Sequence, residues 1–413
     1  MSARTVTDTT VGIVGAGPAG LMLSHLLALA GIDSVAIDLR SRRGIEETHR
    51  AGILEPDSVR LLLDTEVSDR VLRDGVEHKE ISLRFDGVSH PIDFEGLVGA
   101  STWLYPQTDV FIDLADARER AGADIRFGVA DTEVLNVTDS RPRIRFTAAD
   151  DTKQEIRCRY VVGADGSRSI CRSHVPAAER RQYFREYPFA WFGILTEAPK
   201  SAAELIYAHS DRGFALISQR TKSLQRMYFQ CSPDETVDDW SDDRIWHELQ
   251  ARLAGQDDFA LKEGSIVEKT VLPFRSFVQE PMRYGNLLLA GDAAHTVPPT
   301  GAKGLNLALA DIRVLAGVLE RTITKNDTQA LEEYTPRALA RVWKAQHFSY
   351  WMTTMLHRLP DATDFDNQRQ LGELDAVISS ESGSRFLAEA YVGWPQTLHT
   401  SSNNVARRLP CKM

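Results

Sequence analysis

The stretch VGIVGAGPAGLMLSHLLALAGIDSVAID, residues 11–38, decides the fold. Val11 to Val14 is a short apolar run, as a strand buried on both faces requires. Gly15, Gly17 and Gly20 complete G-x-G-x-x-G. Leu21, Leu23, Leu26, Leu27 and Ala30 then continue an apolar helix that Gly31 can end. SVAID reads as the next strand, closed by Asp38. A glycine triplet alone is an ordinary turn. With a strand before it, a helix after it and an acid at the end of the following strand, it is a dinucleotide-binding unit. Gly15 allows the tight turn, Gly17 lets the backbone approach a pyrophosphate, and Gly20 lets helix pack on strand. The helix N-terminus offers N–H groups and a favourable dipole to phosphate, and Asp38 can accept from a ribose.

Working outward, residues 79–95 read as a hairpin around Asp86 and Gly87, and 109–121 as a helix. IRFG (125–128), RIRFTA (143–148) and IRCRYVVGADG (156–166) read as strands. Residues 187–234 are rich in β-forming and aromatic residues and predict a separate antiparallel sheet. A helix follows over 240–252. NLLLAG at 286–291 is another buried strand, followed by Asp292, so the dinucleotide domain returns after an insertion. Residues 307–357 read as largely helical.

The string GDAAHTVPPTGAKGLNLALAD, 291–311, supplies a second ligand-facing helix start. Gly301 and Gly304 precede a helix beginning near Leu305. Asp292 can meet ribityl or ribose hydroxyls, and Pro298 and Pro299 stiffen the loop. Two such sites so far apart in sequence suit opposite ends of one long cofactor, FAD rather than NAD.

Bulk composition narrows the class. The 413 residues suggest two or three domains. Asp plus Glu number 58 against 48 Lys plus Arg, a formal charge of -10, which argues against an extended nucleic-acid surface but leaves room for one basic pocket. Cys158, Cys171, Cys231 and Cys411 form no C-x-x-C pair, so no metal site is expected and a reducing compartment is the simpler reading. MSARTVTDTT lacks a signal core, and no run approaches ~18 apolar residues. No membrane association and a cytoplasmic location are expected.

Three motifs, GAGPAG (15–20), VVGADGSRS (161–169) and GDAAHTVPPTGAKGLN (291–306), resemble those of the flavoprotein aromatic hydroxylases. Finer similarity to the members acting on 4-hydroxybenzoate lies in RAGILE (50–55), RDGVEH (73–78), ELIYAH (204–209), GFALISQR (213–220), FVQEPMRYGNLLLAGDAAH (277–295), WKAQHFSYWMTTMLHRLPD (343–361) and AEAYVGWP (388–395). The resemblance spans roughly residues 9–396. It implies an α/β fold: a Rossmann-like FAD-binding domain interleaved with a mainly antiparallel substrate sheet, then C-terminal helices. The expected division is 1–179 and 276–345 for the FAD domain, 180–275 for the substrate domain, 346–396 for a helical interface region and 397–413 for a tail.

The residues themselves say that Ser218 and Arg220 share a strand face by alternation. A guanidinium fork there can grip a carboxylate, or be merely solvated. The resemblance assigns carboxylate binding to Ser218, Arg220 and Tyr228. It places Tyr207 at the phenolic hydroxyl, Tyr391 next in a proton relay, His78 at its solvent end and the Pro299 carbonyl as an acceptor for the phenol. It implies flavin contacts from Gly15, Gly17, Gly20, Asp38, Arg50, Gln107, Arg226, Asp292, Lys303, Leu305 and Asn306. It implies oxygen transfer to the ring through a C4a-hydroperoxyflavin, with O2 and NADH or NADPH as co-substrates. For the nicotinamide nucleotide it implicates Arg40, Arg50, Arg172 and Arg275. The NADPH-selective pattern has arginine, glutamine and tyrosine where this chain has Leu39, Arg40 and Gly44, arginine at Thr48 and histidine at Arg168. Arg40, Arg42 and Arg43 could still attract a 2′-phosphate, so the reading leans to NADH with dual specificity open. A homodimer is also implied. The rival readings are hydroxylation of another para-substituted benzoate, such as 4-aminobenzoate, and a flavin-binding redox sensor.

Overall fold

The computed structural model describes residues 4–48 and 52–394. Arg50 and the 397–413 tail lie outside them. Residues 11–38 fold as strand Val11–Val14, helix Pro18–Leu29 and strand Ser34–Asp38. These strands sit in a six-stranded sheet ordered Arg283–Tyr284, Leu287–Leu289, Tyr160–Gly163, Val11–Val14, Ser34–Asp38, Asp124–Phe127. All of its pairings are parallel except the Arg283–Tyr284 edge. From Val11–Val14 the chain builds outward in one direction through 34–38 and 124–127. It builds in the other through 160–163 and 287–289. The carboxyl ends at this switch point carry Gly15 and Ala164, where ligands of open α/β sheets bind.

The segment read as one strand over 156–166 is two. Lys153–Arg157 belongs to a four-stranded sheet with Thr5–Asp8, Arg143–Thr147 and Ala130–Leu135, and Tyr160–Gly163 to the six-stranded one. The backbone switches partner between them: Cys158 N–H donates to the Pro142 carbonyl, and Arg159 N–H to that of Thr10.

The aromatic-rich middle forms an eight-stranded sheet. It is antiparallel throughout except that Leu205–Ala208 runs parallel to Glu80–Phe85. The hairpin Glu80–Phe85/Val88–Asp93 thus joins the sheet, outside the expected 180–275 interval. Its backbone is set by the long strands Arg181–Glu197 and Ser265–Glu280. Their register shifts between Glu186 and Ala190, around Pro188, which has no N–H to give a ladder.

Alternation splits this sheet's side chains cleanly. Phe192, Ile206, Ala208, Ile217, Met227 and Phe229 pack against the helix Asp242–Leu253 on one face. Trp191, Tyr207, Leu216 and Tyr228 face the other way, into a core shared with the C-terminal helices Ala330–Leu356, Asp364–Ile378 and Glu381–Val392. Among the described residues, no helix is long and apolar enough to cross a membrane, and no cluster of His, Cys, Asp or Glu could hold a metal ion.

Candidate active site

The site lies on the second face of the large sheet. Tyr207, Leu216, Tyr228 and Gly193 pair in a row across four strands. Tyr207 and Tyr228 are therefore two strand spacings apart, about 9–10 Å. Gly193 has a plain steric reason: a Cβ there would lie 2.7 Å from the Tyr228 ring. Two residues along from Leu216, Ser218 pairs with Arg226. Ser218, Arg220, Arg226 and Tyr228 thus share the Tyr207 face. Arg226 donates from Nη1 to the Tyr228 hydroxyl (3.2 Å) and from Nη2 to Glu268 (3.2 Å). The half-buried Arg220 guanidinium is made less basic by burial and by the nearby Arg226 charge. Two cations held this close favour an anion between or beside them.

At the other end, the hydroxyls of Tyr207 and Tyr391 are 2.8 Å apart and fully enclosed. Burial pushes both phenols up from their ordinary value. The hydroxyl pair can pass a proton without either ring becoming a stable anion. Behind Tyr228, Trp191 Nε1 donates to His357 Nε2 at 2.6 Å, while His357 Nδ1 lies 2.9 Å from the Thr353 carbonyl. Burial pushes His357 down to about 3, so the aromatic wall of the site carries no charge near neutrality. His78 is buried on the strand Val76–His78, its Nδ1 bonded to Glu204. Pro299 begins a short turn, and its carbonyl accepts from Ala302 N–H at 2.9 Å, leaving a second lone pair.

The two helix N-termini fit the two ends of a dinucleotide. A Cβ at Gly20 would lie 1.8 Å from the Gly15 carbonyl oxygen, and one at Gly15 2.2 Å from that of Ala164, so the protein itself demands both glycines. At Gly17 the nearest atom, Arg40 Nη2, would be 4.0 Å away, and at Gly304 nothing lies within 4 Å. Both open glycines stand at the starts of helices, Pro18–Leu29 and Gly304–Thr324, where a ligand can approach the backbone closely. Asp38 accepts from Ala16 N–H (2.9 Å) and from Arg40, and retains acceptor capacity. Gln107 opens the helix Gln107–Arg120, and Asp292 is half-buried beyond strand Leu287–Leu289.

Asn306, expected among the flavin contacts, has its side chain turned to the protein. Its amide donates to the Ile53 and Ala302 carbonyls and accepts from Glu55 N–H and the Ser58 hydroxyl. Those four bonds use the hydrogen-bonding capacity of its whole side chain. Lys303 is also turned inward. It donates to Glu55 (2.8 Å) and to the Tyr391 carbonyl (2.7 Å), and burial makes it less basic despite Glu55.

Arg172 stacks over Phe277 at 4.7 Å and feels the charges of Asp165, Arg275 and Asp292, which places these groups together. Arg275 is exposed. Arg42 is held by Glu46, Asp116 and Glu119, and Arg43 by Glu47. Glu55, Glu204 and Glu268 were missed by sequence reasoning. Only the structure shows that each carboxylate sits on a site residue.

A family profile described as "FAD binding domain" matches residues 8–349. The p-hydroxybenzoate hydroxylase of Acinetobacter baylyi is 42% identical over 388 residues, covering 94% of this chain and 96% of that protein. The 3-(3-hydroxy-phenyl)propionate/3-hydroxycinnamic acid hydroxylase of Mycolicibacterium gilvum is 27% identical, over 77% of this chain and 55% of its own length. The p-nitrophenol 4-monooxygenase of Pseudomonas putida shares the fold, with a TM-score of 0.79 at 19% identity, covering 95% of this chain and all of that one. The chain belongs to the FAD-binding-domain family, and FAD is its cofactor.

The glycine geometry separates folding from cofactor demand. Gly20→Ala should cost about 3 kcal/mol or more, through a backbone clash. Gly17→Ala should change apoprotein stability by less than about 1 kcal/mol, yet weaken FAD binding at least tenfold. Circular dichroism melting and the flavin-to-protein absorbance ratio measure the two effects. Full flavin content in Gly17→Ala would contradict the assignment.

Proposed function

We propose that this chain hydroxylates 4-hydroxybenzoate to 3,4-dihydroxybenzoate, with NADH or NADPH as reductant and O2 as oxidant. One oxygen atom enters the ring and the other leaves as water. The observation that carries this reading is one sheet face with the cations Arg220 and Arg226 at one end and the enclosed Tyr207–Tyr391 pair at the other. The 42% identity to the p-hydroxybenzoate hydroxylase supports it.

Bound FAD supplies the electron transfer and oxygen activation. The chain's own residues do the rest. Arg220, with Ser218 and Tyr228, holds the carboxylate. Tyr207 accepts a hydrogen bond from the phenol and draws its proton toward Tyr391. A phenol of this kind has a pKa near ~10, so ionisation near neutrality needs such a route. The phenolate enriches the ring carbon ortho to it. The second lone pair of the Pro299 carbonyl would serve as a further acceptor for the phenol. The uncharged wall of Trp191, Phe214 and His357 keeps water from the ring. The para group is tested by turnover on 4-hydroxybenzoate and 4-aminobenzoate, with the products identified.

Two finer readings complete the proposal. Trp343, Tyr350, Phe365 and Phe386 are exposed on the C-terminal helices, which suits a homodimer face. Sedimentation showing a monomer at all micromolar concentrations would remove it. Use of a nicotinamide donor suits a cytoplasmic enzyme, and cell fractionation checks that.

Arg220→Ala should retain FAD but lose about tenfold to a hundredfold in benzoate affinity, the value of a charge-assisted bond. Unchanged affinity in the flavin-loaded variant would refute the carboxylate role. Tyr207→Phe keeps the ring and its packing but not the hydroxyl. Substrate should still bind and nicotinamide oxidation continue, while more oxygen ends as hydrogen peroxide. The ratio of dihydroxybenzoate to nicotinamide consumed, with a spectral titration of bound phenolate, measures this. Wild-type values for both would remove Tyr207 from the relay.

A further inference from the structure

His78 presents two different environments to its two nitrogens. Nδ1 is hydrogen-bonded to Glu204, whose side chain is 23% exposed, while the imidazole itself is 2% exposed. Nε2 is enclosed and has no hydrogen-bond partner among the described residues. Donation from Nδ1 to the carboxylate leaves Nε2 as a bare acceptor. A buried ring nitrogen with an unused lone pair costs stability unless something meets it there.

The backbone beside His78 is tied to the packing around Tyr391. The carbonyl of Lys79, the next residue, accepts from Phe94 N–H at 2.7 Å. The Phe94 ring stacks on Tyr391 with centroids 5.0 Å apart. Glu204 immediately precedes the strand Leu205–Ala208, whose third residue is Tyr207. Tyr207 and Glu204 are therefore positioned by one short strand and the residue just before it. The surroundings of Glu204 are acidic. Glu80 is made harder to ionise, by burial first and then by the charges of Glu204 and Asp93, while Lys79 is drawn to Glu95.

We infer that Glu204 is the outer proton acceptor of the relay, so that the proton leaves through a His78–Glu204 dyad rather than from histidine directly to water. This rests on the hydroxylase reading above and extends it. The step balances as proton transfer alone. A proton arriving from the Tyr391 side forms an N–H bond at Nε2. The Nδ1–H bond breaks as an O–H bond forms on Glu204. Glu204 then releases the proton to solvent, and no electrons change hands. The imidazole is left in the other tautomer, and return of a proton to Nδ1 with loss from Nε2 resets it.

The test uses the FAD-loaded full chain and follows ionisation of bound 4-hydroxybenzoate by stopped-flow absorbance. The wild type is measured first. If it forms no bound phenolate, the hydroxylase reading fails and Glu204 is not at issue. Given phenolate in the wild type, Glu204→Gln should bind substrate within about twofold of normal but form phenolate about tenfold more slowly. Added imidazole buffer should then speed the variant in proportion to its concentration and leave the wild type flat, because an external base replaces the lost acceptor. Glu204→Asp, which keeps a carboxylate, should recover most of the rate. A wild-type rate in Glu204→Gln would overturn the inference. So would a slow rate that neither imidazole nor the aspartate variant restores, since a purely packing role predicts that result. If Glu204→Gln fails to fold, Glu204→Asp with and without imidazole carries the test, and a slow, unresponsive rate overturns the inference there too.

Discussion

The buried carboxylate of Glu55 ties the two halves of the site together. It is almost wholly enclosed, yet it accepts from Lys303 Nζ and from Arg341. Lys303 reaches on to the Tyr391 carbonyl, and Arg341 to that of Trp394. Asn306 clamps the Glu55 backbone N–H to the start of the second ligand-facing helix. The end of the Tyr391 helix closes on the same point: a Cβ at Gly393 would lie 2.1 Å from a Glu55 oxygen. Isolated, this carboxylate could not be buried. Removing one partner of such a group typically costs about 3–5 kcal/mol. The knot therefore ties the start of helix Gly304–Thr324, the 53–55 segment and Tyr391 together through one satisfied charge.

Rigidity on the substrate side has another source. Arg181–Glu197 and Ser265–Glu280 each run past the length of an ordinary strand and pair almost throughout. One end of this ribbon pairs near the nucleotide domain, through His295–Thr296. The other end carries Trp191 and Gly193, which shape the space around Tyr228. Arg226 and Glu268 are held across this ribbon. Groups fixed on strands keep their separation, and a benzoate bridging two ends of a face needs that.

What the sequence revealed follows the range of the interaction. The turn at 15–20 is local, so three glycines and Asp38 define it within 28 residues. Ser218 and Arg220 share a face because strand alternation is local too. The Lys303–Glu55 pair spans 248 residues and the Arg341–Glu55 pair 286, and no spacing rule reaches that far. The same limit hid Glu204 on His78. It also hid the parallel pairing that brings Glu80–Phe85 beside Leu205–Ala208. The single strand expected at 156–166 failed for a subtler reason. Its apolar pattern continues, but its hydrogen-bond partners change at Cys158 and Arg159.

These constraints meet in one electrostatic requirement. The reacting ring needs a dry, uncharged wall, and burial of the neutral His357 among Phe189, Phe214 and Trp191 provides it. Ionising the phenol in that same enclosure creates a charge that a dry wall does not stabilise. On the proposed assignment, the cations answer part of the problem at the carboxylate end, where Arg220 and Arg226 stand together. They cannot remove the proton. A chain of hydroxyls can, because each oxygen gives one proton as it takes another and no phenolate need persist on Tyr207 or Tyr391. The chain's outer end must then meet a group that water can reach, and a half-open carboxylate beside a buried imidazole meets that condition without opening the wall.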